Sequence, residues 1–219
     1  MKIEKTMWLA VAMVALMWIV SAWYYPQLPE TVPIHWNSQG IANDFMDKPW
    51  GALLMPLISS GVLLLLFILP VLSPKGFRLD SAKRAYGIVV SIIMAFMLAV
   101  LVLSYEHTLG KVESFSEWIS AGLGVLLVVL GNYLSKFPKN FWVGIRTPWT
   151  LASDEVWFKT HRLGGRTFMA GGLLVFLGSF AGISLEYLVG IVLVAAFTPV
   201  IYSLLIYKRM HGFSPGDNE

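Results

Sequence analysis

The 219-residue chain contains no cysteine. That absence excludes disulfides, thiolate nucleophiles, CxxC redox chemistry and cysteine-ligated zinc or iron–sulfur centres. Charge is scarce too: 13% of residues are Asp, Glu, Lys or Arg, against 57% hydrophobic and a mean hydropathy of +0.68. Soluble domains carry about 25% charged residues, and a soluble fold of this length has too little interior to hide so much apolar surface. The bilayer is the expected solvent. Histidine is equally sparse, with four in the chain, and none of them lies in an uncharged apolar run.

Where charge is missing altogether, the chain can cross a membrane. Charge-free runs lie at Thr6–Pro29, Pro49–Pro74, Ala85–Tyr105, Trp118–Ser135, Thr167–Leu185 and Tyr187–Tyr207, each of 18 to 26 residues. A spanning helix needs roughly 20 residues, and an ion at the bilayer centre costs at least ~2.5 kcal/mol. Six transmembrane helices follow, with cores at Trp8–Ser21, Leu53–Leu69, Ile88–Leu103, Ile119–Leu134, Phe168–Ile183 and Leu188–Ile206. The expected class is an all-α membrane protein with a small extracellular β-hairpin-like loop and a structured cytoplasmic loop. A two-helix region at 1–84 precedes a four-helix region at 85–219.

The cations set the orientation. Fourteen lysines and arginines fall on one side of this topology, among them Lys2, Lys5, Lys75, Arg78, Arg146 and Arg162, and only Lys48 and Lys111 on the other. The positive-inside rule therefore puts both termini and the Gly144 segment in the cytoplasm. It also accounts for the sequence pI near 9.1: the cations flank spans, no RNP-type or zinc-finger pattern is present, and no direct nucleic-acid partner is expected. The first span admits one other reading. Lys2 and Lys5, an apolar stretch and Val20-Ser21-Ala22 also fit a cleaved secretory signal, which would leave five spans. Trp23, Tyr24 and Tyr25 beside that site read instead as an interfacial aromatic belt and favour a retained helix.

Two connections are long enough to have shapes of their own. In "YYPQLPETVPIHWNSQGIANDFMDKP", Tyr24–Pro49, three prolines forbid a helix. Val32, Ile34 and Trp36 alternate at strand spacing before an "SQG" turn in which Gly40 can take positive φ, so a β-hairpin is expected on the outer face. In the second, Ser135–Arg166, Ser153 followed by Asp154-Glu155 reads as a helix N-cap with acids in the first turn. Glu155 and Lys159 pair at i,i+4, Trp157 and His161 share a face, and Gly164-Gly165 can end the helix.

Few chemistries fit these residues. Neither HExxH nor HxxEH occurs, so zinc hydrolysis would need His35, Asp44, Glu106 and His107 to converge on the outer side. "GSF" at Gly178–Phe180 is not a nucleophile elbow. Ser59, Ser60, Ser91, Ser179 and Ser203 read as small residues at helix contacts. Coupled transport usually needs ionisable groups in the membrane, and no helix core has one. Asn132, near the cytoplasmic end of a span, reads as a helix–helix or loop hydrogen bonder, and Pro56, Pro70 and Pro199 as kinks. The inner cluster has two readings that the residues leave open. It is either a structural cap, with Arg146 and Arg162 on lipid phosphates and Trp142, Trp149 and Trp157 in the interface, or a protein-binding surface.

Two stretches carry a resemblance. "GN" at Gly131-Asn132, "FPKNFWVGIRTPWT" at Phe137–Thr150 (which contains Asn140), then Ser153, Trp157, His161, Arg162 and Gly165 resemble the signature of the SdpI family of bacterial membrane proteins. "LPETVPIHWNSQG" resembles the N-terminal domain of unknown function that often precedes it, with Pro29, Pro33, His35, Trp36, Asn37 and Gly40 in matching places. The resemblance implies a multi-pass protein of the bacterial plasma membrane. It would be non-enzymatic and without cofactor or metal, confer immunity to a secreted toxin peptide, and hold a cytoplasmic repressor at the membrane. On that reading His35, Trp36 and Asn37 meet the toxin, and Asn132, Asn140, Arg146, Trp149, Trp157, His161 and Arg162 form the partner-binding or structural cluster. A membrane-embedded metal-dependent hydrolase is the alternative, and a small-molecule or peptide transporter a third.

Overall fold

The structure, a computed structural model, describes residues 4–77 and 79–213. Lys2 and Arg78, counted in the charge bias, lie outside them. Helix α1 (Lys5–Tyr24) leads to an antiparallel hairpin, β1 (Thr31–Trp36) and β2 (Ala42–Asp47), then to α2 (Trp50–Ile68), α3 (Lys83–Thr108) and α4 (Phe115–Leu134). A one-turn helix α5 (Pro148–Ala152) precedes α6 (Asp154–Phe180) and α7 (Leu185–His211). Six of these helices are long and apolar enough to cross a membrane, so the molecule is an all-α multi-pass membrane protein with one small sheet. Trp8, Leu9, Ile19, Leu64, Leu173, Phe197 and Ile201 stay exposed on the helix flanks, where lipid rather than protein covers them.

The hairpin forms where the alternation predicts it. Thr31 pairs with Asp47, Val32 with Met46 and His35 with Asp44, with register shifts on either side of His35. Val32 is buried while His35 is exposed. The turn is closed by Asn37, whose Oδ1 accepts from the Gln39 and Ile41 amides at 3.0 and 2.9 Å, and Gly40 takes φ 75°.

The fifth span differs from expectation. Gly164-Gly165 does not end a helix; α6 runs unbroken for 27 residues from the Ser153 cap into the apolar run. Neither glycine has positive φ; both serve packing. A Cβ on Gly165 would stand 2.8 Å from the Gly131 carbonyl oxygen, and one on Gly164 would stand 2.5 Å from Ile145 Cδ1. One heptad further on, Gly172 meets the carbonyl of Gly124 in the same way, at 2.6 Å. Two glycine pairs thus press α4 and α6 together backbone to backbone, as small residues do where water cannot drive association. The connection from α3 to α4 is tighter than the charge-free runs suggest, and the turn from α6 to α7 comes earlier. Leu109–Ser114 joins α3 to α4, the turn between α6 and α7 is centred on Gly182, and Glu186 lies already inside α7.

Pro56 and Pro199 lie inside helices, while Pro70 follows α2. Each internal proline lacks the N–H that would bond the carbonyl four residues back. In the membrane that orphan must be satisfied from elsewhere, and here it is. The carbonyl of Ala52 accepts from the Tyr105 hydroxyl of α3, and that of Ala195 accepts from Thr167 Oγ1 of α6 at 2.8 Å. Tyr105 in turn contacts Ser21 Oγ at 2.9 Å, which ties α1 to the same knot.

Candidate functional site

The two conspicuous loops lie at opposite ends of the bundle. At one end, the loop between α4 and α6 folds around Asn140, which is fully buried. Its Oδ1 accepts from the amides of Trp142 and Val143 at 2.8 and 2.7 Å, and its Nδ2 donates to the carbonyls of Pro138 and Val143 at 2.8 and 3.0 Å. One side chain thereby satisfies backbone groups of a segment that has no ladder to pair with.

Trp157 and His161, one turn apart on α6, stack with ring centroids 3.9 Å apart. The indole N–H donates to the Phe137 carbonyl at 3.0 Å. His161 Nδ1 donates to the Trp157 carbonyl at 2.8 Å, and Nε2 accepts from the Ile145 amide at 2.9 Å. Both ring nitrogens are occupied, which fixes the neutral Nδ1–H tautomer and leaves none for proton transfer or a metal. Gly144 makes the approach possible: at φ 118°, a Cβ there would stand 2.2 Å from His161 Nε2. Thr147 caps α5 with a reciprocal Thr147–Thr150 box, and its hydroxyl meets Ser203 of α7 at 3.0 Å. Lys139 pairs with Asp154 at 2.6 Å, and Trp142 donates to Ser73 in the α2–α3 connection at 2.7 Å.

The sequence-predicted residues therefore fall into two sets. Asn140, Trp157 and His161 are buried and saturated with internal bonds. Arg146, which donates to the Phe141 carbonyl, and Arg162 are exposed, and Trp149 is half-buried. Asn132 joins neither set; it lies exposed on α4. Gly144, Thr147 and Thr150 were not singled out from the sequence, yet they hold the loop in shape.

At the other end the hairpin covers the α3–α4 junction. Trp36 packs on Phe115 with centroids 4.7 Å apart, and Phe115 stacks on His107 at 4.9 Å. His35 faces out and meets Asn43 Oδ1 at 2.6 Å, while the Asn37 amide is committed to its own turn. Glu106 accepts from Tyr24 and, at 3.3 Å, from Lys111, and His107 Nδ1 meets the Val112 carbonyl at 2.6 Å. His35, Asp44, Glu106 and His107 do not converge; among the described residues no group of three or more His, Asp or Glu is placed to hold a metal. Beneath the hairpin is a cavity of about 340 Å³, mostly apolar, bounded by Trp36, Met55, Ile58, Leu101, Phe115 and Ile119. The buried indole N–H of Trp36 has no hydrogen-bond acceptor.

Residues 136–203, which include the buried Asn140–Trp157–His161 knot, match the SdpI/YfhL protein family, and residues 12–59, which include the hairpin, match the DUF1648 domain of unknown function. The chain is 27% identical over 210 residues to the immunity protein SdpI of Bacillus subtilis (strain 168), covering 93% of this chain and 97% of that protein. No solved structure is similar. The resemblance read from the two motifs thus holds: the chain carries an SdpI-family segment behind a DUF1648 domain.

Proposed function

We propose that this protein is a non-enzymatic membrane immunity protein that protects its cell from a secreted, membrane-active toxin peptide. The observation that carries the reading is the similarity to an immunity protein along nearly the full length of both chains, through both structured ends. The hairpin end faces outwards and the basic loop end lies in the cytoplasm, as the lysine and arginine bias requires. The cavity beneath the hairpin takes an apolar side chain of the peptide, and Trp36 supplies both the contact surface and an indole donor for a peptide carbonyl. His35 at the rim is reachable, whereas Asn37 acts through the turn it closes.

On the cytoplasmic side, Arg146, Trp149 and Arg162 are the accessible members of the cluster and form the surface that holds a repressor. Asn140, Trp157 and His161 are its scaffold. A signal from one side to the other requires toxin to bind two helix arrangements with different affinity.

Expression in a toxin-sensitive strain tests the reading. Protected cells should yield the toxin intact, and Trp36→Ala should lower protection while membrane insertion is unchanged. Toxin fragments that appear only when the protein is present would show it to be a peptidase.

A further inference from the structure

A second cavity, of about 340 Å³, lies where the hairpin tip meets the first turns of α4 and the α6–α7 turn. It differs in chemistry from the cavity beneath Trp36. Serines from all three elements line it (Ser38, Ser116, Ser120, Ser179 and Ser184), together with Glu117 and Glu186, and among the described residues no lysine, arginine or histidine does. Glu186 lies beside the hydroxyls of Ser184 and Ser38, so the hairpin tip is seated against the start of α7.

Ser120 is the informative residue. Ser21, Ser59, Ser91, Ser104, Ser179 and Ser203, the other buried serines among the described residues, each bond a backbone carbonyl, a tyrosine or a methionine sulfur. Ser120 is 6% exposed, lines the cavity and makes no side-chain hydrogen bond to any described residue. A helical serine ordinarily bonds back to its own helix; this hydroxyl is left for whatever enters. The surroundings say what that is. The hairpin end carries seven acidic residues and only two lysines, and Lys48 and Lys111 are engaged with Glu30 and Glu106. A bare divalent ion is a poor fit. Calcium needs six to eight oxygens at about 2.3–2.6 Å, whereas this volume is that of a small organic ligand.

We propose that this cavity binds an alkylammonium or guanidinium group, with Glu117 and Glu186 as counter-charges and Ser120 Oγ as an acceptor. The occupant is a lysine or arginine side chain of a toxin peptide, which rests on the immunity reading; the ammonium headgroup of phosphatidylethanolamine, which presents the same chemistry, is the other outcome of the test.

The test is n-butylguanidinium binding to the full-length protein in nanodiscs, followed by saturation-transfer NMR. Glu117→Gln/Glu186→Gln should weaken binding about tenfold or more, and Ser120→Ala about fivefold. Glu113→Gln, at an exposed acid in the α3–α4 connection that does not line the cavity, should leave binding unchanged. Equal binding by the wild type and the double variant overturns the proposal. So does an equal loss in Glu113→Gln, which would reveal diffuse surface attraction only. Nanodiscs with and without phosphatidylethanolamine separate the sources: weaker probe binding in its presence assigns the cavity to the headgroup, and unchanged binding excludes the headgroup and leaves a cationic side chain. No toxin enters this assay, so the two readings fail separately. A chain that protects cells but does not bind the probe sinks this inference alone, and one that binds but does not protect sinks the immunity reading alone.

Discussion

Gly144 and His161 depend on each other. The histidine closes the loop by accepting the Ile145 amide, and it reaches that position only because residue 144 has no side chain and can hold φ 118°. Gly144→Ala brings a methyl group to 2.2 Å from Nε2 and adds backbone strain, together of order 2–4 kcal/mol. Thermal unfolding in detergent should register that loss, and a midpoint equal to wild type would remove the glycine from its assigned role. The same reasoning divides the cluster around Asn140, Trp157 and His161. Trp157→Ala empties a buried ring site and breaks the bond to Phe137, a cost of about 3–5 kcal/mol, so it should fail to accumulate in the membrane. Arg162→Gln, at an exposed position, should leave the unfolding midpoint unchanged and weaken the proposed repressor recruitment in a membrane-fraction assay. If both variants behave alike in both assays, the division into scaffold and surface is wrong.

At the scale of elements, helix breaks and helix contacts share one currency, the backbone carbonyl. Pro56 frees Ala52, and Tyr105 of α3 takes the bond; Pro199 frees Ala195, and Thr167 of α6 takes it. Interhelical bonds of this kind contribute about 0.6–1.7 kcal/mol in membranes, so Tyr105→Phe and Thr167→Val should each cost about that much. The explanation makes a sharper demand. In a Pro56→Ala background the helix supplies its own N–H to Ala52, and Tyr105→Phe should become nearly free. A cost unchanged by the proline replacement would mean that Tyr105 acts through packing alone.

Gly131 and Gly165 work differently, by letting two backbones touch. Gly131→Leu forces α4 and α6 apart and should abolish accumulation of folded protein, whereas Gly61→Leu on α2, where a Cβ meets nothing within 4 Å, should be tolerated. Three prolines read as kinks from the sequence, but Pro70 lies past the end of α2, and only Pro56 and Pro199 orphan a carbonyl inside a helix. Which hydroxyls would answer those carbonyls was not legible, because Tyr105 lies 53 positions from Ala52 and Thr167 lies 28 from Ala195. The glycine pair at 164–165 misled for a related reason. Composition cannot tell a glycine that ends a helix from one that lets a second helix come close, since both uses exploit the missing Cβ.

For the whole molecule, the reading rests on two structured ends facing opposite compartments. Reporters at Gly40 and Ser153 that distinguish outside from cytoplasm should give opposite answers in intact cells. The same answer from both would end the picture of a toxin-facing hairpin and a cytoplasmic partner surface, whatever else the chain does.

The sequence by itself determined the solvent, the number of crossings, the hairpin and the Ser153 cap. Each follows from local terms, namely the cost of burying charge, the two-residue period of a strand and the hydrogen-bonding reach of a cap. Only the tertiary structure decided that Asn140, Trp157 and His161 look inward while Arg146 and Arg162 look out, that Asn132 stands apart, and that Ser120 lines a cavity with no partner among the described residues. Those outcomes depend on which surfaces of distant helices meet, and a side chain's availability is what remains after its neighbours have taken their bonds.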